Sequence, residues 1–189
     1  MVAKKAAEVH GGMGFIEETG AAQHYRDARI TSIYEGTNGI QAHDLVERKV
    51  LRDQGVALAS YIGEMLETVE SIKSNANLES MANQLQDAVI NLQSAADFAI
   101  ERASADQKFA GAIAYNFLMM MGYVAGGWYM AQSAEKAIAE LDKGGASFYR
   151  KKLLSTHFYF AQMLPRHKAY RDALVGGAEI GIALDQESF

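Results

Sequence analysis

The chain is predicted to be all-α: an antiparallel, up-and-down helical bundle preceded by a loop-rich helical segment. Three observations predict this. The 189 residues contain a single proline, Pro165, and alternating β-branched runs are nearly absent, which leaves little basis for a sheet. Beyond residue 55 the apolar residues recur at spacings of three and four, the period of a helix with one buried face. Short turn-forming stretches separate those runs, and short connections make successive helices antiparallel neighbours.

Taken in order, residues 2–9 read as the end of a helix that Gly11-Gly12 stops. No capping residue precedes it, so the helix is expected to begin further upstream. Residues 10–20 are predicted to be a loop and 21–29 a short helix, and Thr37 or Asn38 caps a helix running to about Asp53. Leu58, Ile62, Met65, Leu66, Val69 and Ile72 form one apolar stripe, and Leu78, Met81, Leu85, Val89, Leu92 and Phe98 form another. Ser74-Asn75-Ala76-Asn77 supplies the turn between them. A third helix is predicted from near Asp106 to just before Gly144-Gly145. A fourth covers roughly 146–164, carrying Phe148, Leu153, Leu154, Phe158, Phe160 and Met163, until Pro165 ends or kinks it. A final helix or tail reaches Phe189. The chain therefore divides into a motif-bearing segment, 1–54, and a bundle, 55–189.

Composition narrows the function classes. With 49% hydrophobic and 22% charged residues, the chain is globular rather than disordered. A net charge of −5, with Lys and Arg scattered among acids, gives no footprint for nucleic acid. The lack of cysteine excludes disulfides, thiolate chemistry and Cys-based metal sites. Met1-Val2-Ala3-Lys4-Lys5-Ala6 has none of the apolar run of a secretory signal, so a cytoplasmic location is expected. Phe109 to Ala134 carries no Asp, Glu, Lys or Arg, and about 20 apolar residues suffice to span a bilayer. Asn116, Gln132, Ser133 and several glycines interrupt that run, and no basic cluster flanks it. A central helix buried on all sides is expected instead of a membrane span.

Chemistry-bearing residues concentrate near the start. Tyr34-Glu35-Gly36-Thr37 follows a glycine-rich run, His10-Gly11-Gly12-Met13-Gly14-Phe15. A loop carboxylate between an aromatic residue and a glycine is a candidate base for drawing a proton off carbon, provided that it is held out of bulk water with a raised pKa. Ile33 and Tyr34 offer an apolar wall, Gly36 permits close approach, and a backbone N–H of the turn can bind a developing oxyanion. On the residues alone, a solvated loop acid is the competing reading.

Other candidates have plainer readings. Arg26-Asp27-Ala28-Arg29 offers either a phosphate clamp or an ion pair holding the short helix, and the ion pair is preferred. His24, His43, His157 and His167 lack convergent carboxylates, and the pair His43 and Glu47 is a weak metal signal. Met119-Met120-Met121 with Tyr115, Tyr123, Trp128 and Tyr129 reads as a packed core helix before a ligand groove. Arg150-Lys151-Lys152 and Arg166-His167-Lys168 read as solvated faces near helix ends.

The ordered pattern Val9-His10-Gly11-Gly12-Met13-Gly14-Phe15, Arg26-Asp27-Ala28-Arg29, Ile33-Tyr34-Glu35-Gly36-Thr37-Asn38 and Ile40-Gln41 resembles the C-terminal catalytic segment of the FAD-dependent acyl-CoA dehydrogenases. Its continuation, Asp44-Leu45-Val46-Glu47-Arg48-Lys49, is similar to the subgroup that carries an extra helical C-terminal domain. The resemblance implies that Glu35 takes the α-proton of an acyl-CoA thioester while the β-hydrogen leaves as hydride to flavin. It places Tyr34 and Gly36 at the substrate, and Gly11, Gly12, Gly14 and Thr37 near FAD. It further implies a flavoprotein electron acceptor and a homo-oligomer, with no nucleic-acid or membrane partner. Two departures bear on the cofactor: Glu8 stands where glutamine is usual, and Gly39 where Gln or Glu is common. In that family a helical domain and a β-domain come first, whereas here nine residues precede His10. The isolated chain is therefore expected to be inactive. The alternative is a non-enzymatic helical assembly module that retains a remnant of the motif.

Overall fold

The computed structural model describes residues 2–103, 108–142 and 147–183. The expected helix boundaries at Asp106, at Gly144-Gly145 and at 146, and the tail beyond 183, lie outside those residues. The described elements are all helical: α1 (Val2–Val9), α2 (Ala21–Ile30), α3 (Asn38–Asp44), α4 (Val56–Lys73), α5 (Glu79–Ala103), α6 (Lys108–Asp142), α7 (Ser147–Phe158) and α8 (Arg166–Ala183). No strand occurs among the described residues, so the all-α expectation holds. Two compact units emerge, Met1–Gln41 and Ala42–Phe189.

In the first unit α1 packs on α2 and on a 3-10 turn, Gly11–Gly14, and a second such turn spans Glu17–Thr19. The predicted loop over 10–20 is thus tightly wound. Thr19 Oγ1 donates to the Met13 carbonyl at 2.8 Å and ties the two turns together. Arg26 does form an ion pair, but its partner is Glu17 outside the helix, through two 2.7 Å contacts. That guanidinium holds the Glu17 carboxyl below its ordinary value.

The second unit opens with Ala42, Val46 and Val50, each essentially buried, spaced by four along α3 and its π-helical continuation Leu45–Leu51. The wider register shows in two bonds that skip an extra residue, Arg52 N–H to Glu47 O at 3.1 Å and Gly55 N–H to Val50 O at 2.8 Å. Helical structure stops at Leu51, short of Asp53. Asp53 instead starts α4, because its two carboxylate oxygens accept from the N–H groups of Gly55 (3.1 Å) and Ala57 (2.9 Å).

Direction in the bundle can be read from paired residues. α4 and α5 are joined by a turn in which Asn75 Oδ1 accepts from Asn77 N–H at 3.0 Å, so they run antiparallel. Tyr61 and Thr68 of α4 meet Trp128 of α6, and Ser71 meets Glu135, so both numbers rise together and the pair is parallel. Asn91 and Arg102 of α5 meet His167 and Glu179 of α8 in the same sense. Thr156, Tyr159 and Tyr170 meet Met130, Tyr123 and Tyr115 of α6 in descending order, which makes that pairing antiparallel. α7 and α8 therefore form one kinked rod beside α6, and the bundle is up-and-down. Pro165 kinks this rod without ending it. The stripes Leu58, Ile62, Met65, Val69 and Ile72, and Leu78, Met81, Leu85, Val89 and Leu92, are buried as the spacing predicts, while Leu66 and Phe98, expected in the same stripes, are half-buried at the edge of the core.

The expectation for α6 needs correction. It is not buried on all sides. Phe109, Ile113, Phe117, Met120, Val124, Ala131 and Ala134 are buried along one stripe, while Tyr115 and Tyr129 are exposed. By length and composition alone α6 could cross a membrane, with 39% of its most apolar window buried. Partial burial is what a bundle's central helix shows when two flanks are covered and one is not.

Where the kinked rod crosses α6, the backbones must come close. Tyr159 lies in the π-helical stretch Tyr159–Met163 and donates to the Tyr123 carbonyl at 3.0 Å. A Cβ on Gly126 would sit 2.1 Å from the Tyr159 hydroxyl oxygen, and one on Gly127 would sit 2.9 Å from Leu164 Cδ1. These two glycines form the notch that seats the kink. Gly126→Ala is expected to destabilise the bundle by about 1–3 kcal/mol. Gly122→Ala, where an added Cβ meets nothing within 4 Å, should stabilise it by up to about 1 kcal/mol. Urea unfolding of the two variants measures the contrast, and adding Tyr159→Phe to Gly126→Ala should recover part of the loss.

His167, expected on a solvated face, is 2% exposed. Its Nδ1 lies 2.6 Å from the Leu164 carbonyl, which can only accept, so Nδ1 carries the hydrogen. Nε2 then accepts from the Asn91 amide at 3.3 Å. Burial pushes the imidazole below its ordinary 6.5, Lys168 and Arg171 push the same way, and the Leu164 bond and Asp87 oppose them. The unfolded chain thus takes up this proton more readily than the folded one. The stability that neutral His167 confers is complete above about pH 6.5 and declines as the pH falls below it. Urea unfolding across that range should show the decline, and His167→Gln should flatten it.

Candidate functional site

The turn before α3 puts Glu35 in an unusual conformation. Its φ is +56°, in the left-handed region that non-glycine residues rarely occupy, and Gly36 follows at +94°. At Glu35 this conformation costs about 1 kcal/mol, and such outliers gather at functional sites. A restraint is visible. The Gln41 side-chain amide donates to the Glu35 carbonyl at 2.6 Å, while the Gln41 backbone N–H bonds the Thr37 carbonyl at 3.0 Å. One residue therefore pins both ends of the turn onto the first turn of α3. Gly36 is sterically fixed as well, since a Cβ there would meet Ile40 Cγ2 at 3.1 Å.

Within its own unit, Glu35 is exposed, and so are Ile33, Tyr34, Gly36 and Thr37. The apolar wall expected from Ile33 and Tyr34 faces outward, at 57% and 53% exposure. The turn thus presents a carboxylate, an aromatic ring and backbone amides to whatever covers them. The geometry itself is preformed.

The glycine-rich run borders a separate open groove of about 770 Å³, lined by Ala7, Glu8, Gly11, Gly14, Phe15, Tyr25 and Arg26 among others. Its glycines differ in kind. A Cβ on Gly14 would lie 2.1 Å from the Ala7 carbonyl oxygen, so Gly14 is small because α1 packs against it. Gly11 has φ +60°. Gly12 has neither reason, because an added Cβ there meets nothing within 4 Å. Its backbone is simply open. Glu8 lies at the groove with its charge paired to Lys5 at 2.7 Å, and that hydrogen bond holds its carboxyl below the ordinary value. The groove lining includes Gly11 and Gly14 but none of Tyr34, Glu35, Gly36 and Thr37.

In the second unit His43 Nδ1 lies 3.2 Å from Glu47 Oε2, and no cluster of three or more metal-ligating side chains occurs among the described residues. Gln41 is the restraint on this turn that sequence reasoning passed over. It stands inside the quoted motif, but a side chain reaching back six residues to a carbonyl leaves no periodic trace. Gln41→Ala should speed hydrogen exchange at the amides of 36–41 about five-fold, the loss of one hydrogen bond, while α4 to α8 keep their protection.

Comparison with known proteins covers both units. Residues 1–50 match the family described as acyl-CoA dehydrogenase, C-terminal domain, and residues 61–185 match acetyl-CoA dehydrogenase C-terminal like. The chain is 44% identical to 3-methylmercaptopropionyl-CoA dehydrogenase of Ruegeria pomeroyi, over 86% of this chain and 28% of that protein. It is 33% identical to a broad-specificity linear acyl-CoA dehydrogenase of Mycobacterium tuberculosis, over 95% of this chain and 31% of the relative. A 40-residue stretch is 55% identical to the human mitochondrial short-chain specific acyl-CoA dehydrogenase, covering 21% of this chain and 10% of that one. The chain thus spans less than a third of the relatives that it matches over most of its own length.

Proposed function

The chain belongs to the acyl-CoA dehydrogenase family, and from that premise we propose that it forms the C-terminal part of an enzyme that desaturates an acyl-CoA between its α and β carbons. The observation that carries the reading is Glu35, held at φ +56° by the Gln41 amide inside a segment that matches the family. Gln54, before α4, has the same φ, so what supports the reading is that at Glu35 this conformation falls on a carboxylate inside the matched segment.

Each residue of this chain then has a task. The Glu35 carboxylate accepts the α-proton and becomes a carboxylic acid, as the substrate's C–H electrons move to form the double bond. A backbone N–H of the same turn stabilises the negative charge that builds on the thioester oxygen. Tyr34 and Gly36 border the acyl group, where an aromatic wall and a missing Cβ allow close contact. Gly11 and Gly12 leave backbone open for a flat ligand, and the family likeness assigns Gly14 and Thr37 to the same cofactor. The open Gly12 is compatible with FAD. The paired Glu8 brings less repulsion to the FAD pyrophosphate than a free carboxylate would. When bound, FAD supplies the chemistry that accepts the β-hydrogen as hydride, and an electron-accepting flavoprotein reoxidises it.

Because Glu35 stands exposed, the dry surroundings that would raise its pKa must come from the cover over this turn. The isolated 189 residues are accordingly proposed to lack dehydrogenase activity. In a protein that contains this segment and turns over acyl-CoA, Glu35→Gln should lower kcat by about 10²–10⁴-fold with flavin content unchanged. A variant with full activity would remove Glu35 from the base role. Tight FAD binding by the 189-residue chain alone would overturn the dependence on further structure.

A further inference from the structure

We propose that the Asn38–Gly39 peptide is a spontaneous modification site, at which loss of ammonia from Asn38 rebuilds the start of α3 and slackens the turn that holds Glu35. The effect on turnover rests on the proposed role of Glu35; the modification itself does not. The chain has six asparagines, and Asn38 is the one followed by glycine. Glycine matters because the reacting atom is its backbone nitrogen, and without a Cβ that nitrogen is free to approach the preceding side chain.

Four features favour reaction at this pair. Asn38 and Gly39 are both exposed. The Asn38 side-chain amide makes no hydrogen bond among the described residues, whereas Asn75 Oδ1 accepts from the Asn77 N–H and the Asn91 amide bonds His167. The Gly39 N–H sits in the first turn of α3, where no carbonyl pairs with it, since the first bond there runs from the Gln41 N–H to the Thr37 carbonyl. Asn38 also borders an open polar hollow of about 390 Å³ that Lys4 and Arg29 help to line. A carboxylate formed at position 38 therefore meets opposite charge.

The chemistry needs water alone. The Gly39 nitrogen gives up its proton to hydroxide and attacks Asn38 Cγ. The Cγ–Nδ2 bond breaks, Nδ2 takes a proton and leaves as ammonia, and a cyclic imide remains. Water then opens the ring at either of its carbonyls. Opening at Cγ leaves an aspartate on the original backbone. Opening at the main-chain carbon leaves an isoaspartate, with the backbone routed through Cβ and Cγ and the carboxylate on Cα. One water is consumed and one ammonia released, with nothing oxidised or reduced.

The isoaspartate is the product that disturbs the turn. It adds a main-chain atom between Thr37 and Gln41, whose backbone bond of 3.0 Å fixes the first turn of α3. Gln41 is then displaced from the Glu35 carbonyl, to which its amide donates at 2.6 Å, and Glu35 loses the bond that restrains it. Gln41 is also what guards the site. Helical backbone at Asn38 turns the Gly39 nitrogen away from the line of attack on Cγ, so reaction waits for the first turn to fray. Two bonds from Gln41 hold that turn, and they set the rate.

Ageing the 189-residue chain in mildly alkaline buffer and mapping its tryptic peptides tests this. The peptide 30–48, which holds Asn38 and no other asparagine, should accumulate isoaspartate and aspartate faster than the peptides carrying the other five. Gly39→Ala should slow the change at least about ten-fold. An added Cβ there meets Thr37 Oγ1 at an ordinary 3.7 Å, so the variant folds. Gln41→Ala should speed the change about five-fold, through the loss of one hydrogen bond. In a protein that contains the segment and turns over acyl-CoA, kcat should fall in step with the isoaspartate fraction, while Gly39→Ala keeps its own starting activity. An unmodified Asn38, or a rate indifferent to Gly39 or Gln41, would overturn the proposal. So would fully modified protein with undiminished kcat in which Glu35→Gln still removes turnover. A fully active Glu35→Gln variant would instead remove the base role, and the mapping result would stand.

Discussion

A helix running from Lys108 to Asp142 with no charged side chain between Phe109 and Ala134 needs continuous cover along one side, and the Ala42–Phe189 unit is organised around supplying it. α5 and the α7–α8 rod lie antiparallel to α6 and α4 lies parallel to it, so three rods share its buried stripe. A rod as long as α6 spans about 52 Å, more than α7 or α8 alone can match. The chain meets that length with two shorter helices joined through a π-helical stretch and Pro165. The join would hold the backbones apart if α6 were smooth. Gly126 and Gly127 remove the side chains at that level, Tyr159 fills the gap, and its hydroxyl donates to the carbonyl of Tyr123. Two glycines in mid-helix each weaken α6 by about 1 kcal/mol in propensity, and the close crossing offsets that loss.

Much of this was legible in the sequence, because the stripes of α4 and α5 are periodic and the Asn75 turn announces itself through its side chain. What was not legible has a common physical origin. The buried state of His167 depends on Leu164 and Asn91, the second from a helix 76 residues away. Nothing in Arg166-His167-Lys168 tells a solvated histidine from one seated between a kink and a neighbouring helix. Likewise the absence of charge in α6 signalled burial but not how much of its circumference would be covered. Composition reports an average over faces, whereas cover is set one face at a time.

The first unit follows a different logic. Among its described residues only Gly14 and Ala21 are buried, while Val9 and Phe15 are each 86% exposed. It is ordered by turns and caps more than by a core: Thr19 ties the two 3-10 turns, Arg26 ties Glu17 to α2, and Gln41 ties Glu35 to α3. Such ties fix geometry without drying the site. That division suits a segment whose shape is specified locally and whose surroundings come from elsewhere, and it is why Glu35 can be well placed yet exposed.

Glycines give the sharpest separation between what the chain needs for folding and what it needs for chemistry. Gly14 is small because Ala7 is in the way, Gly126 because Tyr159 is, and Gly36 because of its φ and Ile40. Each would be demanded of a protein with no function at all. Gly12 would not, and neither would Gly63, Gly122, Gly176 or Gly177, for at each of them neither the dihedral nor a neighbour requires a glycine. Glu35 has the complementary anomaly, which it shares with Gln54 at the same φ: its backbone favours glycine, and a side chain is present nonetheless. One position lacks a side chain that folding would tolerate, and another keeps one that folding opposes. Both lie in the segment that matches the dehydrogenase family, where an open backbone at Gly12 suits a flat cofactor and a fixed carboxylate at Glu35 suits a base. The proposed chemistry gives each of the two a role.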